Sequence, residues 1–301
     1  MKTPNFFILF VVVIGMLLIA GCTQQQTVPS TPQPTATPTA TPAADNIKLM
    51  NTNLGKVLTD ANGMTLYYFI TDTPANGTST CYAATNCSHF WPVFSVDTVL
   101  VSPPLSKGDF SSMTRTDGTN QTTYFGWPLY YFLNDKVPGD VKGENVLKTW
   151  YVAKPDYTVM IASAPGLGAF LTDPFGKTLY TFIQDTTGTS TCTGACLTKW
   201  PAFSADQVIA PSVLKTSDFA PITRTDGVKQ WAYMGKPLYY YSGDSRPGMT
   251  NGQGFANKWN VANITGFVYT VPTTAQTAIP TTIRTINTGT GDSGSSSGGG
   301  Y

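Results

Sequence analysis

The chain has 301 residues, a formal net charge of +1, and only 12% charged residues. With neither a basic excess nor a Lys/Arg cluster it carries no electrostatic footprint for nucleic acid, and no nucleic-acid partner is expected. A single histidine, His89, excludes a multi-histidine metal centre, and the absence of Cys-x-x-Cys-His excludes c-type haem attachment.

In chain order, the first element is a targeting segment. Lys2 precedes an apolar run from Phe6 to Ala20, followed by Gly21-Cys22. The order of charged, apolar and small residues predicts an export signal over residues 1–22. The run is too short, and too soon followed by polar sequence, for a permanent membrane span. Ile19-Ala20-Gly21-Cys22 resembles a lipobox, so Cys22 is the expected lipidation site and the membrane an expected partner through that anchor. Residues 23–46 form a Pro/Thr/Ala-rich linker whose prolines favour an extended, semi-rigid spacer, at about 3.1 Å per residue. Residues 271–301 are Thr-rich and then Gly/Ser-rich, and read as a disordered tail.

Between the ends lie roughly 225 residues, enough for two small domains or one medium one. They are built on a phrase used four times: a tyrosine, an aromatic two residues later, and an aspartate three after that. The copies are Tyr67…Asp72, Tyr130…Asp135, Tyr180…Asp185 and Tyr239…Asp244. Longer matches divide the region into halves, 47–156 and 157–270. Cys81…Cys87…Trp91-Pro92 answers Cys192…Cys196…Trp200-Pro201, and Thr114-Arg-Thr-Asp-Gly118 answers Thr223-Arg-Thr-Asp-Gly227. Each half splits again into an a unit with the cysteines and a b unit with Gly-x-Pro-Leu-Tyr-Tyr. A repeat of this kind is a structural unit before it is anything else.

Setting Cys22 aside leaves four cysteines, an even number that suits an oxidised, exported protein. Local pairing, Cys81–Cys87 and Cys192–Cys196, is the simplest of three connectivities, and each small loop contributes about 2 kcal/mol. Asn76, Asn86, Asn120 and Asn263 head N-glycosylation triplets.

The chain resembles the secreted-repeat lipoprotein family of unknown function, whose signature is the Tyr-x-aromatic-x-x-Asp phrase. The resemblance spans both halves and the lipoprotein start. It implies an exported, surface-held repeat protein and supplies no catalytic residues to carry over.

The units read as all-β. Thr65-Leu-Tyr-Tyr-Phe-Ile70 and Pro237-Leu-Tyr-Tyr-Tyr241 are rich in β-favouring aromatics and bounded by turn residues. Asp60-Ala-Asn-Gly63 and Asp173-Pro-Phe-Gly176 fit type I turns, while Gly126-Trp127 and Gly235-Lys236 fit two-residue type II′ hairpin loops. The expected architecture is two homologous modules of short antiparallel strands, with a four-unit propeller-like ring as the alternative. Alternation places Tyr67 and Phe69 on the core face and Tyr68 and Ile70 on the other. The aspartates, at strand ends, are expected to accept backbone N–H groups and start turns.

Trp127, Tyr131, Trp231 and Tyr240 are the binding candidates. As exposed rings at hairpin tips and variable faces they suit stacking on an envelope glycan or docking a surface protein; otherwise they close the seam between repeats. No catalytic residue and no cofactor is assigned. The favoured function is a non-catalytic binding or structural module outside the cytoplasm. A redox or metal-handling role, suggested by the tyrosine and tryptophan content, is the alternative, and a glycan-active enzyme comes third.

Overall fold

Every regular element of the first half has a counterpart in the second. The computed structural model describes residues 44–82 and 86–264, which belong to one compact unit. The predicted export signal, Cys22 and the tail lie outside the described residues, as does the linker up to residue 43. Strands β1 (Ile47–Thr52) and β2 (Gly55–Asp60) form an antiparallel hairpin, answered by β8 (Met160–Ala164) and β9 (Gly168–Thr172). The phrase strand β3 (Tyr67–Phe69) pairs with β7 (Trp150–Val152), as β10 (Tyr180–Phe182) does with β14 (Trp259–Val261). A meander of β4 (Phe110–Thr114), β5 (Asn120–Tyr124) and β6 (Trp127–Pro128) recurs as β11 (Phe219–Thr223), β12 (Lys229–Tyr233) and β13 (Lys236–Pro237). The only α-helical turns among the described residues are α1 (Cys87–Phe90) and α2 (Ala195–Lys199), each beginning at or next to the second cysteine of a disulfide. The fold is all-β, and its sheets have two or three strands. The alternative ring is not formed: no closed barrel or propeller occurs among the described residues.

Both cysteine pairs are bridged locally, Cys81–Cys87 and Cys192–Cys196. The turns after β2 and β9 follow expectation: Gly63 N donates to Asp60 O and Gly176 N to Asp173 O. The b-unit hairpins differ from it. Tyr124 pairs with Trp127, so the two loop residues are Phe125 and Gly126, both at positive φ (48° and 85°), and Met234-Gly235 repeats the geometry. Glycine sits second in the loop, as a type I′ turn requires, rather than first as in type II′. The one-residue difference moves Trp127 from the tip into the strand, and a shift of one flips a side chain to the other face.

That flip corrects the expectation that Trp127 is exposed. Its ring is buried, 1% exposed, and its Nε1–H donates to Pro174 O of the second half at 3.0 Å. Tyr68 and Ile70, expected on the outward face, are also fully buried, because the second half covers them; Ser163 N donates to Ile70 O at 2.8 Å. With Tyr151 they join the second half's own core cluster. The equivalent positions of the second half, Thr181, Ile183, Lys236 and Asn260, are not covered in this way, and Ile183 is 56% exposed. The copies therefore differ most where one half meets the other. Gly176 belongs to the same seam: at φ 75° it lies against Pro74, and a Cβ there would come within 2.1 Å of the proline ring.

Trp127→Ala is expected to destabilise the protein by about 3–5 kcal/mol, as for other buried aromatic truncations. The change at its counterpart, Lys236→Ala, should stay below about 1 kcal/mol. Denaturant midpoints of the two variants check the contrast.

Candidate functional site

The four phrases meet in pairs. Tyr67 and Tyr130 face each other across a two-bond antiparallel bridge, Tyr67 N to Tyr130 O at 2.9 Å and Tyr130 N to Tyr67 O at 3.0 Å. Tyr180 and Tyr239 do the same at 2.8 and 2.9 Å. Because the bridge is antiparallel, each ring is carried towards the far end of the other unit's phrase, where that unit's aspartate sits. The result is an exchange. Tyr67 donates its hydroxyl to Asp135 Oδ2 at 2.7 Å and Tyr130 to Asp72 Oδ2 at 2.5 Å; Tyr180 donates to Asp244 at 2.6 Å and Tyr239 to Asp185 at 2.7 Å. No tyrosine bonds the aspartate of its own phrase.

The other carboxylate oxygen does what the sequence predicts and organises a turn. Asp72 Oδ1 accepts from Thr80 N and Oγ1 at 2.7 and 2.8 Å, and Asp185 Oδ1 accepts from Thr191 in the same way. Asp135 and Asp244 accept from Lys142 N and Asn251 N, both at 3.0 Å. Buried carboxylates need such partners, since an unsatisfied one is strongly penalised. Burial still dominates for Asp72 and pushes its pKa up to about 6, against the hydrogen bonds from Thr80 and Tyr130, which lower it. Asp135, Asp173, Asp244 and Glu144 are raised by burial as well. Burial also holds the Tyr130 phenol far above its ordinary value, and the Asp72 charge adds to the effect.

A buried arginine ties this lock to the disulfide, and sequence reasoning missed it. Arg115 Nη1 donates to Gln121 Oε1 at 2.6 Å and Nη2 to Cys81 O; Gln121 Nε2 donates onward to Leu129 O at 2.8 Å. In the second half Arg224 donates to Ser190 Oγ, to Gln230 Oε1 at 2.8 Å and to Cys192 O at 2.6 Å. Its signal in the sequence is an arginine followed six residues later by a glutamine in both halves.

The repeated aromatics assemble into ladders. Trp91 and Trp150 stack at 3.8 Å and 3°, with Phe132 beyond Trp91 at 4.4 Å and Phe69 beyond Trp150 at 4.1 Å. Trp200 and Trp259 stack at 3.7 Å and 1° between Tyr241 and Phe182. Each phrase tyrosine meets a tryptophan edge-on: Tyr130 on Trp150 at 5.0 Å, Tyr67 on Trp91 at 5.5 Å.

The four binding candidates do not converge. Trp127 lies in the seam. Tyr131 is half-buried and donates to Asp60 Oδ2 at 3.1 Å; Tyr240 repeats this with Asp173 at 3.2 Å. Trp231, also half-buried, donates to Ala205 O at 2.8 Å. Each polar tip is thus used inside its own half or in the seam. Asn76, Asn86, Asn120 and Asn263 are all exposed, as is His89. Among the described residues no group of His, Cys, Asp and Glu is placed to hold a metal ion.

This geometry defines a class: a tandem all-β repeat protein in which paired units exchange tyrosine hydroxyls for aspartates. A family model described as a secreted repeat of unknown function matches the chain four times, over residues 48–95, 111–154, 163–204 and 220–263. The matches cover more than half of the sequence, one for each unit, and the chain belongs to this secreted-repeat family. Neither curated proteins nor solved structures give a match.

If the bond is exchanged, a double-mutant cycle of Tyr67→Phe with Asp135→Asn should show coupling of about 0.5–3 kcal/mol. Tyr67→Phe with Asp72→Asn should couple less. Equal coupling, read from denaturant unfolding, would contradict the exchange.

The sign of the pH effect follows from Asp72. Its folded-state pKa lies above the ordinary value of 3.8, so the folded chain binds the proton more tightly than the unfolded one. The stability this adds is complete below the unfolded-chain value and is lost as pH rises through about 6. Lowering the pH from about 7 to about 5 should therefore raise the contribution of this site. Asp72→Asn should flatten that rise, measured as the denaturant midpoint at both pH values.

Proposed function

We propose that the protein is a lipid-anchored, extracytoplasmic lipoprotein whose folded part is a non-catalytic binding or structural module of the cell envelope. One observation carries this reading. The repeated tyrosines and aspartates, the residue types best suited to chemistry, are turned inward and spent on one another. They build the unit, and little of them is left to face a substrate.

Export is supported by the secreted-repeat family and by both disulfides. Anchoring rests on the lipobox-like segment ending at Cys22, and display at a distance on the Pro/Thr-rich linker 23–46. A partner, whether an envelope glycan or a surface protein, would meet what the lock leaves outside. Phe175, Val228 and Met234 are each at least half exposed and sit at turns of the second half. Trp127 no longer belongs to that set, and Tyr131 and Tyr240 belong to it only by their half-exposed ring faces.

Two measurements test the reading. Cys22→Ser should move the protein from the membrane fraction to the soluble one, and mass spectrometry of the wild type should find the lipid on Cys22. Glycan arrays and envelope pull-downs with the wild type should retain a ligand that Phe175→Ala weakens. A lipid-free Cys22 sinks the anchor; no ligand under any condition sinks the binding role.

A further inference from the structure

The tryptophan ladders are tighter than packing alone asks for. Packed rings usually settle offset or edge-to-face, with centroids about 4.5–7 Å apart, because directly opposed π faces repel. Here both pairs lie nearly parallel with centroids at 3.8 and 3.7 Å, and the same arrangement is built twice in one chain. Overlap of this kind has one electronic consequence: two indoles share a positive charge better than either carries it alone.

Of the two phenols edge-on to each pair, the nearer one has a second hydroxyl partner. Tyr130 sits edge-on to Trp150 at 5.0 Å, and Tyr239 to Trp259 at 5.1 Å. Their hydroxyls donate to Asp72 and Asp185 at 2.5 and 2.7 Å and share hydrogen bonds with Ser79 and Ser190 at 2.6 and 2.7 Å. A phenol gives up an electron readily only if its proton leaves at the same time. Both rings are fully buried, so water cannot take that proton, and the carboxylate is already in line for it. Asp72 can hold the proton near neutral pH, since burial has raised its pKa to about 6. The indoles are 4% or less exposed, yet in the first half the outermost rings, Phe69 and Phe132, are only half-buried. The tryptophans are thus screened from solvent by a single ring's thickness.

From this juxtaposition we infer that each half holds and passes a single oxidising equivalent, with the stacked tryptophans as relay and the carboxylate-bonded tyrosine as its resting place. The oxidant is a one-electron acceptor at the protein surface, such as an oxidised metal complex. It takes one electron from the tryptophan pair and is reduced, leaving the pair as a radical cation. Tyr130 returns one electron to the pair while its O–H bond breaks and the proton crosses to Asp72 Oδ2. The products are a restored pair, a neutral tyrosyl radical and a neutral carboxylic acid. A one-electron donor reverses the step and the proton goes back. The role goes beyond that of an anchored module and does not depend on it.

The test uses the full chain and a photo-oxidised ruthenium polypyridyl complex as the acceptor, followed by transient absorption and electron paramagnetic resonance. The wild type should give a tyrosyl signal that forms more slowly in D₂O. The double variant Tyr130→Phe/Tyr239→Phe should lose most of that signal and leave one of tryptophan type. Trp150→Phe/Trp259→Phe should slow its formation, and Tyr233→Phe, whose ring packs on Phe219, should leave it unchanged. A full-strength signal in the Tyr130/Tyr239 variant, its loss in Tyr233→Phe, or undiminished speed in the Trp150/Trp259 variant would overturn the assignment. Should the tyrosine variant fail to fold, equal rates in H₂O and D₂O for the wild type would overturn it too. Membrane attachment does not enter these readouts, so failure here leaves the anchored-module reading intact.

Discussion

The structure depends on one exchange: a tyrosine hydroxyl of each unit bound to the aspartate of its partner unit. A phrase strand of three residues cannot hold itself in place. Its aspartate would be buried with one oxygen unbonded, and its tyrosine would carry a hydroxyl into the core with nothing to receive it. Two units placed antiparallel solve both problems at once, because each supplies what the other lacks. The penalty for leaving either group unpaired, about 1–3 kcal/mol, makes the pair of units the smallest stable piece rather than the single unit. Around that pair everything else is arranged. The disulfide fixes the segment next to Thr80, which bonds Asp72, the arginine holds the Cys81 main-chain carbonyl, and the tryptophans pack edge-on against the two tyrosines.

The second level of organisation follows different physics. The two halves are joined by apolar burial at an asymmetric seam, where Trp127, Tyr68, Ile70 and Tyr151 of the first half enter the core of the second. A head-to-tail contact of this kind leaves each half with one face unmatched. The second half meets that condition with Thr181, Lys236 and Asn260 in place of three of those aromatics, the polar outer face expected of a terminal repeat. Variation between copies, which reads from the sequence as a sign of binding, is here largely a record of which copy is covered.

Much of this was legible in the chain. Strand type, the four units, the pairing of halves, the local disulfides and the inward direction of Tyr67, Tyr130, Tyr180 and Tyr239 all follow from local pattern. The partner of each tyrosine does not, because the aspartate in its own phrase lies just as close along the chain as the turn geometry suggests. Nor was the fate of Trp127 readable. The type I′ and type II′ turns both accept the Phe-Gly-Trp string at the level of composition, and only the pairing of Tyr124 with Trp127 decides between them.

By itself the sequence determined the units: that they are built of short strands and turns, that the phrase tyrosines turn inward, and which cysteines are near enough to join. Those are consequences of alternation, turn chemistry and short chain separation, and they act within a dozen residues. The tertiary structure alone decided who bonds whom. The Tyr–Asp bonds span 54 to 68 residues, and the seam joins residues of different halves. At such separations nothing local sets the choice, and it falls to the arrangement that leaves no buried hydroxyl or carboxylate of the lock without a partner.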